Sequence, residues 1–238
     1  MSGQNFYFVT ALPPLGDLGS PAPMTPQQLL QHVSESSAAE VVAALLLHDD
    51  LLQREALQAE EGDDAVPAVL TAEQVRDEQP LPEYLAPRAG ESGPRTVAVD
   101  VTWEAYFRYA ADVARRGGNE LLAGWVGFEV ALRNALVQRR AKALGIDAAA
   151  YVVAADLADE SLDFTAVLNE WASAANPLAG LQVLDRSRWN WLNDHQQWFS
   201  FSDDELAAYA AKLMLLSRWQ RLAAARDEHA AGNAAANP

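Results

Sequence analysis

Residues 120–144 carry one unbroken helical pattern that is apolar on nearly every side. On a wheel with ~100° per residue, Leu121, Trp125, Phe128 and Leu132 make one stripe. Leu122, Val126, Val130 and Val137 cover the flank and much of the opposite side. A helix of this kind is buried on several faces, so it predicts a bundle with this element at its centre. Inside the apolar surface sit Glu129, Arg133 and Asn134. Charges in such a place persist only when paired and hydrogen-bonded. Glu129 and Arg133 are spaced i,i+4 with the acid on the N-terminal side, the favourable order. The spacing predicts an intrahelical ion pair, with Asn134 bonded to a neighbouring helix or loop. Two other roles fit the same residues: a polar contact surface for a partner subunit, and Glu129 as a catalytic acid. No second carboxylate or histidine at a diagnostic spacing accompanies the last.

The rest of the chain reads as helices joined by turns. Phe6 to Leu12 is an apolar run closed by Pro13-Pro14, a short strand or the start of a buried helix; periodicity does not separate the two at this length. Thr25 is an N-cap with Pro26 at the first helical position, and helix follows to about Val33. Ser36 or Ser37 caps a second helix from near Ala38. It either breaks at His48-Asp49-Asp50 or continues through Leu57 to Glu61. Prolines 67, 80, 82, 87 and 94 make 61–101 the least ordered stretch, a hinge with short helices near 71–78 and 81–86. Thr102 opens a helix to about Arg115, ended by Gly117-Gly118. Asn119 caps the long helix, and Gly145 takes the left-handed position after it. Further helices are expected at 148–155, 161–174, 177–181 and 184–198. Ser202-Asp203-Asp204-Glu205 reads as a capping box that starts a last helix to about Ala231, beyond which the Ala/Asn tail frays. Strand signals are almost absent. The expected fold is all-α, with an N-terminal helical lobe and proline-rich linker at 1–90 and a C-terminal lobe at 91–238 around the helix 120–144.

The 238 residues include no cysteine, which removes disulfides, thiolate metal sites and cysteine nucleophiles. Thirty-three acidic against 17 basic residues give a formal charge of −16, a field that repels phosphate backbones and disfavours nucleic acid while suiting a basic protein partner. No run of ~18 apolar residues predicts a membrane span. The first basic residue is Arg54, so no secretory signal is read, and a cytoplasmic location is expected.

Catalytic motifs are missing. His32, His48, His195 and His229 form no HxxxH, HExxH or HxH pattern. His48-Asp49-Asp50 and Asp194-His195 each supply too few ligands for a metal alone and read better as solvated helix ends. There is no P-loop, nucleophile elbow or dinucleotide glycine pattern, and Gly124-x-x-Gly127 reads as a site of close helix packing. No catalytic, cofactor-binding or metal-binding residue is assigned. The dense cluster Trp189, Trp191, Trp198, Phe199 and Phe201 either packs a core or faces a junction or partner, because Trp189 and Trp191 cannot share one helical face. The last helix carries two apolar stripes, Leu206-Ala210-Leu213 and Leu215-Trp219-Leu222, and must touch two bodies.

Two segments resemble a known family. Phe6-Tyr7-Phe8-Val9-Thr10-Ala11-Leu12-Pro13-Pro14-Leu15 looks like the start of an uncharacterised bacterial family encoded among V-type (A/V-type) ATPase subunits. Phe128-Glu129-x-x-Leu132-Arg133-Asn134-x-Leu136, with Arg140-Ala141, Leu144-Gly145 and Tyr151-Val152-Val153, is similar to the same family and more distantly to the central-stalk subunit called C or d. Together they cover about a fifth of the chain. The resemblance implies an all-helical, funnel- or V-shaped subunit without an active site or cofactor. It would sit at the cytoplasmic face of the inner membrane and couple the central stalk to the rotor ring during ion transport, touching membrane only through the ring. The chain is shorter than a full C/d subunit, and its 38–65 and 79–94 regions have no obvious match there, so no contact residue carries over. A free-standing helical adaptor or assembly factor fits the same features. So does, at the far end, an enzyme with a metal held by His48, Asp49, Asp50 and distant carboxylates.

Overall fold

In a computed structural model of the chain, residues 5–59, 65–86 and 97–236 are described, with side chains as far as Arg226. The all-α expectation holds: the described residues form nine α-helices and short 3-10 turns, with no strand. The helices are α1 (Phe6–Thr10), α2 (Pro26–His32), α3 (Ala39–Gln58), α4 (Ala72–Val75), α5 (Ala98–Gly117), α6 (Glu120–Leu144), α7 (Thr165–Ala172), α8 (Pro177–His195) and α9 (Asp203–Ala236).

Local chemistry sets most of the ends. The Thr25 side chain accepts from Gln28 N–H while Gln28 reaches back to the cap, and Pro26 follows at the first helical position. Asn119 accepts from Leu122 N–H at 2.7 Å, and α6 stops at Gly145, whose φ of 69° costs a glycine little. Several expectations are corrected. Neither Ser36 nor Ser37 caps α3; they bond to Val33 C=O and to Asp203. Helix α5 begins at Ala98, a turn before Thr102, and α8 is one helix where two were expected. Glu205 does not close a capping box on Ser202. Its carboxylate accepts from Phe199 N–H at 3.0 Å and Phe201 N–H at 2.7 Å, while Ser202 N–H turns to the Ser200 hydroxyl. Segment Phe6 to Leu12 resolves as the short helix α1. Positions 60–64 and 87–96 of the proposed hinge, and the His229 side chain, lie outside the described residues.

Helix α3 packs against α9 on one side and α5 on another, α6 against α5 and α9, and α8 against α7 and α9. Residues on both sides of position 90 share one continuous core, which runs from Leu29 and Leu45 through Trp103 and Trp125 to Leu216. Three helices are buried all round in their middles. Leu45 to Leu51 is an unbroken buried run in α3, Trp125 to Val130 in α6 and Ala210 to Arg218 in α9. Ala207, Ala208, Ala210 and Ala211 keep α9 thin where its neighbours press closest. Helix α5 is the amphipathic member, with Trp103, Tyr106, Phe107, Ala110 and Val113 on its inner face. Its Tyr106 hydroxyl donates to Ala44 C=O at 3.1 Å and Trp103 Nε1 to Glu55 at 2.8 Å, which fixes it along α3.

Asn134 bonds outside its own helix, as the spacing predicted. Its side chain donates to Val153 C=O at 2.8 Å and accepts from Val153 N–H at 3.0 Å, clamping the returning chain to α6. Both bonds are buried, so Asn134→Ala strands a donor and an acceptor. The expected loss is ~2–4 kcal/mol, read as a lower urea midpoint with unchanged slope.

Candidate functional site

The charged residues of α6 do not pair with each other, contrary to the i,i+4 expectation. Glu129 projects to α8, where Arg188 grips it with Nε at 2.7 Å and Nη2 at 2.9 Å. Arg133 projects to α5, donating to Asp100 at 3.1 Å with its guanidinium 4.8 Å from the Trp103 ring centre. Long-range partners compete better than the helix neighbour because each offers a fork-on geometry or a ring face that i,i+4 contact cannot.

From Glu129 the contacts run on as a circuit. Arg188 also holds Asp185 at 2.9 Å, Asp185 holds Arg218 of α9 at 3.0 Å, and Arg218 holds Asp49 of α3 at 3.0 Å. Arg221 and Gln53 complete Asp49 at 2.5 and 3.0 Å. Beside Asp49, the His48 Nε2 lies 3.6 Å from Glu129, so the circuit closes on the helix where it began. Four helices are joined by three carboxylates and three guanidiniums, a neutral set once His48 is neutral. All but Arg221 are buried.

Electrostatics follow from that balance. Burial would raise the Glu129 carboxyl, but Arg188 and the His48 ring beside it together hold the group well below the usual carboxylate range. Asp49 is held low in the same way, with burial opposed by Arg218 and Arg221. Burial lowers His48 below its ordinary value despite Glu129 beside it. Its ring packs edge-on against Trp103 with centroids 5.2 Å apart, and its Nδ1 has no hydrogen-bond partner. His48 is therefore not a solvated helix-end histidine.

The step His48-Asp49-Asp50 does not break α3, because three successive residues point to three sides and each side supplies a partner. Asp50 faces neither Asp49's arginines nor His48. It accepts backbone N–H from Ala68, Val69 and Leu70 at 2.7–2.8 Å and docks that loop. Burial, opposed by those three bonds, pushes its carboxyl up to about 6. The triplet cannot converge on one metal ion in this arrangement, and no group of three or more His, Asp or Glu among the described residues is placed to hold one.

The aromatic cluster splits. Trp191 packs on Trp125 and Phe128 of α6, with its ring 3.1 Å from where a Gly124 side chain would stand, so Gly124 does serve close packing. Trp189 turns the other way, toward Lys212 of α9. Two tryptophans two residues apart are both buried because α8 is wedged between helices. Trp219 is half-buried, while Trp198 and Phe199 are exposed on the 196–202 loop. Phe199 (φ 58°) and Phe201 (φ 51°) both adopt left-handed backbone, each at a cost of about 1–2 kcal/mol for a residue with a side chain. Glu205 holds both through their N–H groups. An open groove of about 370 Å³ between α7 and α8, lined by Leu162, Val167, Glu170 and Arg186, does not include the ionic circuit. No helix among the described residues is long and apolar enough to cross a membrane.

Compared with known protein families, curated proteins and solved structures, the chain matches none.

A pH experiment separates the two buried groups that titrate between pH 6.5 and 5. His48 is lowered, so acidification below its unfolded value of about 6.5 removes stability. Asp50 is raised, so the folded state takes up protons earlier than the unfolded state and gains stability as pH falls through about 6. Glu129 and Asp49 are lowered, and their contribution is lost only below about pH 4.5. His48→Gln removes the first effect alone. In this variant stability is expected to rise by about 1 kcal/mol from pH 6.5 to 5, whereas in the parent His48 opposes that rise and makes it smaller. Urea titrations at four pH values read the difference.

Proposed function

We propose that this chain is a non-catalytic subunit of a bacterial V-type (A/V-type) rotary ATPase, coupling the central stalk to the membrane rotor ring during ion transport. The observation that carries the reading is the direction of the polar side chains in the segment that resembles that family. Glu129, Arg133 and Asn134 all turn inward, to Arg188, Asp100 and the Val153 backbone. They brace the body, and none of the three lines the groove between α7 and α8. A coupling part needs stiffness of this kind, together with surfaces that match its neighbours. The second resembling segment lies at the surface, where Phe6 and Tyr7 are exposed. A formal charge of −16 suits docking on basic loops of a ring or stalk. A funnel- or V-shaped, C/d-like arrangement and a location at the cytoplasmic face of the inner membrane belong to the same proposal, and the all-helical fold is compatible with both.

Native mass spectrometry of the intact ATPase from the source organism tests it. The expected result is the chain at fixed stoichiometry with stalk and ring subunits, released progressively as salt is raised from 50 to about 500 mM. A chain found only on partial assemblies would be an assembly factor, and its absence from every assembly would reject the proposal.

A further inference from the structure

The 196–202 loop, between α8 and α9, holds an uncommon conformation that leads to exposure. Phe201 turns inward and meets the Phe6 ring at a centroid distance of 4.9 Å. Phe199, two residues earlier, is 80% exposed, and Trp198 is 69% exposed. Glycine or asparagine would satisfy a left-handed backbone more readily than phenylalanine. The Phe199 side chain makes little contact with its own fold, so the fold does not account for it. Phe6 and Tyr7 add exposed rings on the neighbouring α1, which Asn5 ties to Asp203 at 2.5 Å. Of the five exposed aromatic residues described, these four gather at one end; the fifth, Tyr84, stacks on Tyr109.

The charges around this end are mainly acidic. No lysine or arginine occurs in residues 5–53 or 189–211, where Glu35 and Asp194 are exposed, and the exposed Arg115 and Arg116 at the end of α5 are paired with Asp112 and Glu40. Lys212 is buried beneath Trp189 and Trp198, with its ammonium bonded to Asn193 and Gln196. Anionic lipid headgroups would meet an excess of carboxylates, with the cations already paired or buried.

We infer that this end is a docking surface for a cationic amphipathic helix of a partner protein. The apolar face of that helix would lie on Trp198, Phe199 and Tyr7, and its lysines or arginines would face the bordering carboxylates. The inference rests on the loop and its surroundings and does not depend on the rotary-ATPase reading. A chain that binds such a helix but joins no ATPase would keep this inference and lose that reading.

The test uses the full chain and two labelled 15-residue helical peptides, one alternating leucine and lysine faces, the other leucine and glutamate. Fluorescence anisotropy should show the lysine peptide bound and the glutamate peptide at least tenfold weaker. Trp198→Ser/Phe199→Ser should weaken the lysine peptide at least tenfold with its charge unchanged. Phe199→Gly should weaken it likewise while its Tm is no lower than the parent's, because the left-handed backbone suits glycine. Equal binding by the variants would reduce the effect to bulk charge and overturn the inference. So would equal binding of the glutamate peptide, preferential binding to vesicles of phosphatidylserine and phosphatidylcholine, or self-association through this end in sedimentation.

Discussion

The buried contact between Glu129 and Arg188 is the point on which the arrangement of four helices depends. Helices α3, α6 and α9 are buried all round in their middles, mostly by apolar residues, and an apolar surface does not by itself choose a rotation about the helix axis. A two-pronged guanidinium on a carboxylate does choose one, since both prongs are met only when α6 and α8 present particular faces. Asp185 carries that choice to α9 and Asp49 carries it back to α3. Removing such charges from water costs several kcal/mol each, so their benefit lies in specifying one packing more than in added stability.

The circuit also explains where ionisation is used in this protein. Three carboxylates balance three guanidiniums, leaving the intervening His48 neutral within an aromatic setting. The groups that a sequence reader would examine first for chemistry, Glu129 and the His48-Asp49-Asp50 triplet, are consumed in holding helices and a loop in place.

Much of the helical plan was legible. The long helix was delimited by Asn119 and Gly145, whose cap chemistry is local, and Thr25-Pro26 marked α2 for the same reason. Asn134 was legible as an outward bond because an amide in an apolar helix must find a partner elsewhere. What failed was partner choice. Glu129 and Arg133 satisfy a local spacing rule, but Glu129's partner is 59 residues away and Arg133's is 33. A signal for the circuit existed in the sequence. Each of α3, α6, α8 and α9 carries charge beside or inside an apolar run, at Asp49, Glu129, Asp185 with Arg188, and Arg218 with Arg221, and the signs balance across helices. The 196–202 loop could not be read, because its left-handed phenylalanines depend on the Glu205 carboxylate replacing the expected cap.

A double-mutant cycle on Glu129 and Arg188 tests this account most directly. Glu129→Met and Arg188→Met each leave the buried circuit with one unbalanced charge and should each cost ~3–5 kcal/mol in urea unfolding at pH 7. The double variant, with both charges gone, should recover most of that loss and reveal a coupling of at least about 2 kcal/mol. Losses that simply add would mean that the two residues act independently, and would contradict a circuit built on their contact.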